Sequence, residues 1–132
     1  MAVIEVAQTM TAPGFGRRIL VVEDEALIAL MIERRLKELG YVVVGPVGKL
    51  ASALHLIGTV HFDAALLDVT IRGGKVYPVA EHLLQRGIPF VLASGYSEWS
   101  LPENLRNQPR LTKPFRINEL DEQIALLFPQ AD

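Results

Sequence analysis

Short apolar runs that stop at polar residues alternate, along most of this chain, with segments of helical periodicity. Ile19-Leu20-Val21-Val22, Tyr41 to Val44, Ala64-Ala65-Leu66-Leu67, Pro89-Phe90-Val91-Leu92-Ala93 and Arg110-Leu111-Thr112 read as brief strands. Between and after them Ala26 to Leu39, Leu50 to Ile57, Val79 to Arg86 and Ile117 to Leu127 read as helices. Leu27, Leu30, Met31 and Leu36 or Leu39 recur at threes and fours in the first of these, and Gly40 and Gly87 supply stops. The segment from Ser97 to Pro109 is polar and bounded by Pro, and holds at most a short helix. About five strands thus alternate with about five helices. Parallel neighbours need crossover connections, and those crossovers are right-handed, so the pattern predicts one doubly wound α/β domain with helices on both faces of the sheet.

The 132 residues are one domain's worth, and half of them are apolar, enough for a full core. Without Cys there are neither disulfides nor thiolate metal sites. The formal charge of -2 and the scattered Lys and Arg residues give no basic stripe, so nucleic acid is not an expected partner. The longest apolar stretches fall well short of the roughly 20 residues that span a bilayer, and no signal-like start is present, so a cytoplasmic, membrane-free protein is expected. Thr11-Ala12-Pro13-Gly14 is turn-rich, which sets off residues 1–16 as an arm, 17–128 as the domain and 129–132 as a tail.

The chemistry lies where the strands end. Glu23-Asp24 follow the first run, Asp68 the third, Ser94 the fourth and Lys113 the fifth. In an open α/β sheet those ends face one crevice. Carboxylates crowded there repel one another unless a cation neutralises them, and an all-oxygen donor set suits Mg²⁺. One carboxylate could then attack a phosphoryl group in line, with Lys113 and Ser94 on its oxygens; Asp68 is the expected nucleophile. Each part has an ordinary alternative. Glu23-Asp24-Glu25 could serve as an N-cap and first-turn charge for the first helix, Asp68 and Ser94-Gly95 as turn residues, and Lys113-Pro114 as a strand exit. His55, His61 and His82 lack metal spacing, and Gly73-Gly74-Lys75 is not a Walker loop.

At Glu23, Asp24, Asp68, Ser94 and Lys113-Pro114-Phe115 the chain resembles the bacterial response-regulator receiver domain, and the resemblance extends from Arg18 to Leu127. It implies a CheY-like, flavodoxin-like five-stranded parallel sheet of order 2-1-3-4-5. It also implies Mg²⁺ on Glu23, Asp24, Asp68 and the backbone carbonyl of Thr70, phosphoryl acceptance on Asp68 from a histidine kinase or histidine phosphotransfer protein, and readout through Ser94 and Lys113. A cis Lys113-Pro114 bond is expected on the same ground. The protein would then be a phosphorylation switch for a downstream protein partner rather than an enzyme, beyond assisting its own phosphorylation and dephosphorylation.

Two features modify that expectation. Arg110 stands where the family has a switch aromatic, and Leu92-Ala93-Ser94-Gly95-Tyr96 resembles the motif of the often stand-alone FAT GUY subgroup, whose fourth helix is reduced. Tyr96, Trp99 and Arg110 are therefore candidates for the switch and partner surface. A phosphate-independent binding or scaffold module, with Arg110 holding one conformation, is the alternative; an aspartyl-phosphate hydrolase is disfavoured by Thr70 where a second Asp is required. Ile28, Ile32 and Leu126 could support a homodimer or simply pack in the core.

Overall fold

The computed structural model describes residues 14–95 and 100–129. The chain runs β1 (Arg18–Val22), α1 (Ala26–Glu38), β2 (Val42–Val47), α2 (Leu50–Thr59), β3 (Ala64–Asp68), β4 (Thr70–Ile71), β5 (Gly74–Lys75), α3 (Tyr77–Arg86), β6 (Phe90–Gly95), β7 (Arg110–Lys113) and α4 (Ile117–Leu126). Five strands form a parallel sheet of order β2-β1-β3-β6-β7, which is the expected 2-1-3-4-5 once the small antiparallel hairpin β4-β5 is set aside.

Strand alternation divides the core in two. Ile19 and Val21 of β1, Ala64 and Leu66 of β3, and Val91 and Ala93 of β6 pack on one face against Ile32 and Leu36 of α1 and Leu120 and Ile124 of α4. Leu20 and Val22, Ala65 and Leu67, and Phe90 and Leu92 point to the other face, against Ala53 and Ile57 of α2 and Val79, Ala80 and Leu83 of α3. Because the side-chain period of a strand is two, a continuous apolar run serves both faces at once.

Several boundaries differ from the sequence reading. β2 does not stop at Gly45-Pro46; it continues to Val47 through a cis Gly45-Pro46 bond, with Gly45 at φ 93°. Of the Arg72-Gly73-Gly74 loop, Arg72-Gly73 is the turn of the β4-β5 hairpin and Gly74 already belongs to β5, because Gly73 at φ 98° allows the chain to reverse within two residues. α1 is rotated relative to the expected face: Ala29, Ile32 and Leu36 are buried, while Leu27 is 82% exposed and Leu30 is also exposed. Several Leu spacings in this helix satisfy a 3.6-residue period, and packing on the sheet selects the stripe centred on Ile32. Ile32 thus belongs to the core and not to a dimer face, whereas Leu126 is 70% exposed.

Between β6 and β7 the described residues hold a 3-10 turn, Glu103–Leu105, in place of a regular helix, in line with the weak periodicity there. Leu101 and Leu105 anchor this connection in the core. Gly14, the first described residue, donates its N–H to the Leu39 carbonyl at 2.8 Å, and its α-carbon lies against the Tyr41 ring. Tyr41 in turn stacks on Phe128, over which the Arg17 guanidinium sits at 4.5 Å. This clamp ties both ends of the domain together at the edge of the sheet remote from the acidic residues. No described helix is long and apolar enough to cross a membrane.

Candidate functional site

Strand register assembles the site. Val22 pairs with Leu67, so Glu23 and Asp68 follow at the same level; Asp68 pairs with Ala93, which places Ser94 one step on, and Gly95 pairs with Lys113. Residues separated by up to 90 positions in sequence therefore emerge together at the carboxyl edge of the sheet. Buried strands hold them: Val22, Leu67 and Leu92 are fully buried, which leaves the side chains that follow little room to drift.

Lys113 is the centre of the polar network. Its Nζ lies 2.6 Å from Glu23 Oε1, 3.1 Å from Asp68 Oδ2 and 3.7 Å from Glu25 Oε1. Glu23 also accepts the Glu25 N–H through Oε2 at 3.1 Å. Carboxylate oxygens of Glu23, Asp24 and Asp68 all lie within 4.8 Å of one another. Asp24, Glu25, Asp68, Thr70, Gly95 and Lys113 line an open cleft of about 380 Å³. The bond between Lys113 and Pro114 is cis, as the resemblance implies.

Burial and like charge dominate the electrostatics. Asp68 is 6% exposed, and its pKa is pushed up to about 7, first by burial and then by the neighbouring Glu23, with Lys113 pulling the other way. Burial also works against the charge of Lys113, but hydrogen bonds and attraction from Glu23 and Asp68 outweigh it and raise its pKa above the ordinary value. Asp68 thus changes protonation near neutral pH, which suits a carboxylate that must be able to shed its proton to bind a cation or attack an electrophile.

Ser94 is 1% exposed, and its Oγ is a buried side-chain oxygen without a hydrogen-bond partner. Such an atom is costly unless function retains it. Its place on the strand beside Asp68 makes it a donor for an oxygen that arrives on Asp68.

The donor set fits a hard divalent cation: three carboxylates, two of them buried, with no nitrogen or sulfur donor among them. Glu23, Asp24 and Asp68 would hold Mg²⁺. Bound there, the ion supplies positive charge that offsets the clustered carboxylates and a phosphoryl group.

Of the remaining described candidates, Thr70 lies at the cleft and Arg110 does not. Thr70 lines the cleft and its Oγ1 accepts from Lys75 Nζ at 2.7 Å. Arg110 is exposed and its Nη2 donates to the Arg106 carbonyl at 2.9 Å, so the guanidinium lies on the surface of the 100–110 connection and not in the interior beside Ser94. Tyr96 and Trp99 lie outside the described residues. His61 pairs with Asp63 and His82 approaches Arg86, both remote from the acidic cluster in the chain fold. Three contributors were missed from sequence. Glu25 belongs to the Lys113 network, which the acidic triplet itself could have signalled. Gly48 packs on Asp24, where a Cβ would come within 2.9 Å of the Asp24 α-carbon. Lys75 reaches Thr70, a residue of the cleft wall, only because the hairpin returns it, and no local signal announces that pairing.

Comparison with known proteins gives the geometry its context. No protein-family model matches the chain. The transcriptional regulatory protein PdtaR of Mycobacterium tuberculosis is 33% identical over 114 residues, covering 83% of this chain and 56% of PdtaR. The chain spans about half the length of the curated relatives it matches. SdrG from Sphingomonas melonis Fr1 is 45% identical with a TM-score of 0.75, over 86% of this chain and 97% of SdrG, and SdrG has also been solved in a BeF3-activated conformation. The response regulator TrrA of Thermotoga maritima, solved in complex with Mg(2+)-BeF, is 25% identical with a TM-score of 0.74, over 85% of this chain and 99% of TrrA. With 97% of SdrG covered at 45% identity and the expected sheet order present, the chain belongs to the response-regulator receiver family of two-component signalling.

Proposed function

We propose that this domain is a phosphorylation switch that accepts a phosphoryl group on Asp68, with Mg²⁺, from a histidine kinase or histidine phosphotransfer protein in the cytoplasm. The observation that carries the reading is the joint placement of Asp68, Glu23 and Asp24 with Lys113 Nζ at 3.1 Å from the Asp68 carboxylate. In the transfer, an Asp68 carboxylate oxygen forms a bond to phosphorus as the bond from phosphorus to the donor nitrogen breaks. The leaving imidazole takes up a proton, and the product is an acyl phosphate. Lys113 pairs with one phosphoryl oxygen. Ser94 Oγ–H, buried without a partner, donates to another and gains the bond it lacks.

That gain is the switching energy. A hydrogen bond to a charged acceptor contributes on the order of 1.5–3 kcal/mol, enough to shift a two-state equilibrium by one to two powers of ten. Ser94 lies within the FAT GUY-like motif Leu92–Tyr96, one position before the end of β6, so a change at Ser94 is passed along the chain toward the β6-β7 connection, where a downstream protein reads it. The domain turns over no small phosphate ester; it contributes to forming and losing its own phosphoryl group.

The test is the intact mass of wild type and Asp68→Asn after incubation with acetyl phosphate, with and without Mg²⁺. A single Mg²⁺-dependent phosphate addition in the wild type alone supports the reading. No addition under any condition overturns it in favour of a phosphate-independent binding module.

A further inference from the structure

The acceptor must receive an anion, yet the groups around it are mostly anionic. Among the described residues, Glu23, Asp24, Glu25 and Asp68 supply four carboxylates against the ammonium of Lys113, which two of them already hold at 2.6 and 3.1 Å. A divalent cation reduces that excess without reversing it. A phosphodonor carrying two negative charges still approaches a net negative cleft, and the rate of encounter is set by whatever cation stands at the mouth.

The hairpin places one against a residue of the cleft wall. Thr70 and Lys75 are directly opposed across β4-β5, and Lys75 Nζ donates to Thr70 Oγ1 at 2.7 Å, beside the cleft that Thr70 lines. Lys75 is exposed, but its backbone is anchored on three sides. Ile71 and Val76 are buried in the core, and Val76 N–H donates to the Val69 carbonyl at 2.8 Å, which closes the hairpin at Val69, the residue after Asp68. Arg72 exchanges backbone hydrogen bonds with the α2 approach, Leu50 N–H to Arg72 carbonyl at 2.8 Å and Arg72 N–H to Gly48 carbonyl at 3.2 Å. A platform so fixed leaves only side-chain rotation between the Thr70 hydroxyl and an anion entering the cleft.

We propose that Lys75 is a specificity-determining residue for the phosphodonor: its ammonium, resting on Thr70 Oγ1 at the cleft mouth, hydrogen-bonds an anionic oxygen of the incoming donor and favours donors of higher negative charge. The inference rests on Asp68 being the acceptor. Lys75 keeps its protons throughout; the bond made is from phosphorus to an Asp68 oxygen and the bond broken is from phosphorus to the donor's leaving atom.

The experiment compares wild type, Lys75→Gln and Lys75→Arg with two small donors at pH 7, acetyl phosphate, a dianion, and phosphoramidate, mainly a monoanion. Rates are followed by intact mass at low and high salt, and Mg²⁺ binding by calorimetry. Lys75→Gln is expected to slow acetyl phosphate by about 3- to 10-fold and phosphoramidate by clearly less, and to flatten the salt dependence, with Lys75→Arg within about twofold of wild type. The same loss of an ammonium should tighten Mg²⁺ binding by about twofold, since a neighbouring positive charge opposes the ion. Equal slowing of both donors with an unchanged salt dependence would mean that Lys75 merely props Thr70, and overturns the proposal, as does a wild-type rate with both. If the wild type takes phosphate from neither donor, the reading of Asp68 fails instead, and Mg²⁺ affinity decides the case of Lys75: tighter binding in Lys75→Gln supports its placement, and unchanged binding refutes it.

Discussion

Replacing Asp68 by Asn should make the metal-free protein more stable at and above neutral pH, although it removes the acceptor. Asp68 titrates at about 7 in the fold against 3.8 for a free aspartate, chiefly because burial and the nearby Glu23 disfavour its charge. The unfolded chain loses this proton from about pH 4 upward while the folded chain keeps it, so the fold loses stability as pH rises from about 4 to about 7 and is lowered by a constant amount above that. A shift of this size corresponds to about 4 kcal/mol. Asn is neutral at every pH but returns only part of the contact with Lys113, so we expect a gain of about 2–4 kcal/mol at pH 8. About half of it should be gone at pH 5.5 and nearly all of it at pH 4. Urea unfolding of both proteins at pH 4, 5.5, 7 and 8 without divalent ions measures this directly. Mg²⁺ should close the gap from the other side, stabilising the wild type by about 1.4 kcal/mol for a tenfold excess over its Kd and Asp68→Asn by much less. An Asp68→Asn protein no more stable than wild type at pH 8, or a difference that is the same at pH 5.5 and pH 8, would refute burial of the Asp68 charge as the source.

The other expectations concern the partners of Asp68. Lys113→Met leaves Glu23 and Asp68 facing each other without their shared ammonium, and should cost about 3–5 kcal/mol at pH 8 and less at pH 5.5, where Asp68 holds a proton, by the same urea titrations. Ser94→Ala removes a buried hydroxyl that has no partner, so stability should be unchanged or rise by about 1 kcal/mol, while the phosphorylation-dependent shifts of the β6 amides in NMR spectra disappear. Gly48→Ala drives a Cβ to 2.9 Å from the Asp24 α-carbon; because backbone and not a flexible side chain must yield, Mg²⁺ affinity measured by calorimetry should fall about tenfold, with a loss of about 1–3 kcal/mol in stability.

Much of the site could be read from sequence because it is built from strand ends. Leu67-Asp68 and Val22-Glu23 each announce an apolar run that stops at a carboxylate, and parallel register then brings the stops together without any further information. The turn from Thr70 to Lys75 was not legible in the same way. Its two strands are two residues each, too short for any periodic signal, and they form because Ile71 and Val76 are drawn into the core and Arg72 bonds the α2 approach. The face of α1 was ambiguous for a different reason. Leu27, Leu30, Ile28, Met31 and Ile32 offer overlapping apolar stripes, and only the sheet beneath decides that Leu27 faces outward.

The surplus of carboxylates connects these threads. A domain selected for stability alone would not bury Asp68 beside Glu23, nor leave Ser94 Oγ unpaired. Both costs fall on the same strand ends, and both are relieved by what the site is proposed to bind: a cation relieves the carboxylates, and a phosphoryl oxygen relieves the hydroxyl. The two reliefs act in sequence, because the cation needs Asp68 ionised and the hydroxyl needs Asp68 phosphorylated. Phosphorylation measured across pH at saturating Mg²⁺ should therefore show its acid limb well below pH 7, since bound cation holds Asp68 ionised, and the limb should move toward 7 as Mg²⁺ is lowered below its Kd. A limb fixed at one pH for all Mg²⁺ concentrations would separate the two events and leave the raised pKa of Asp68 without a role in the switch.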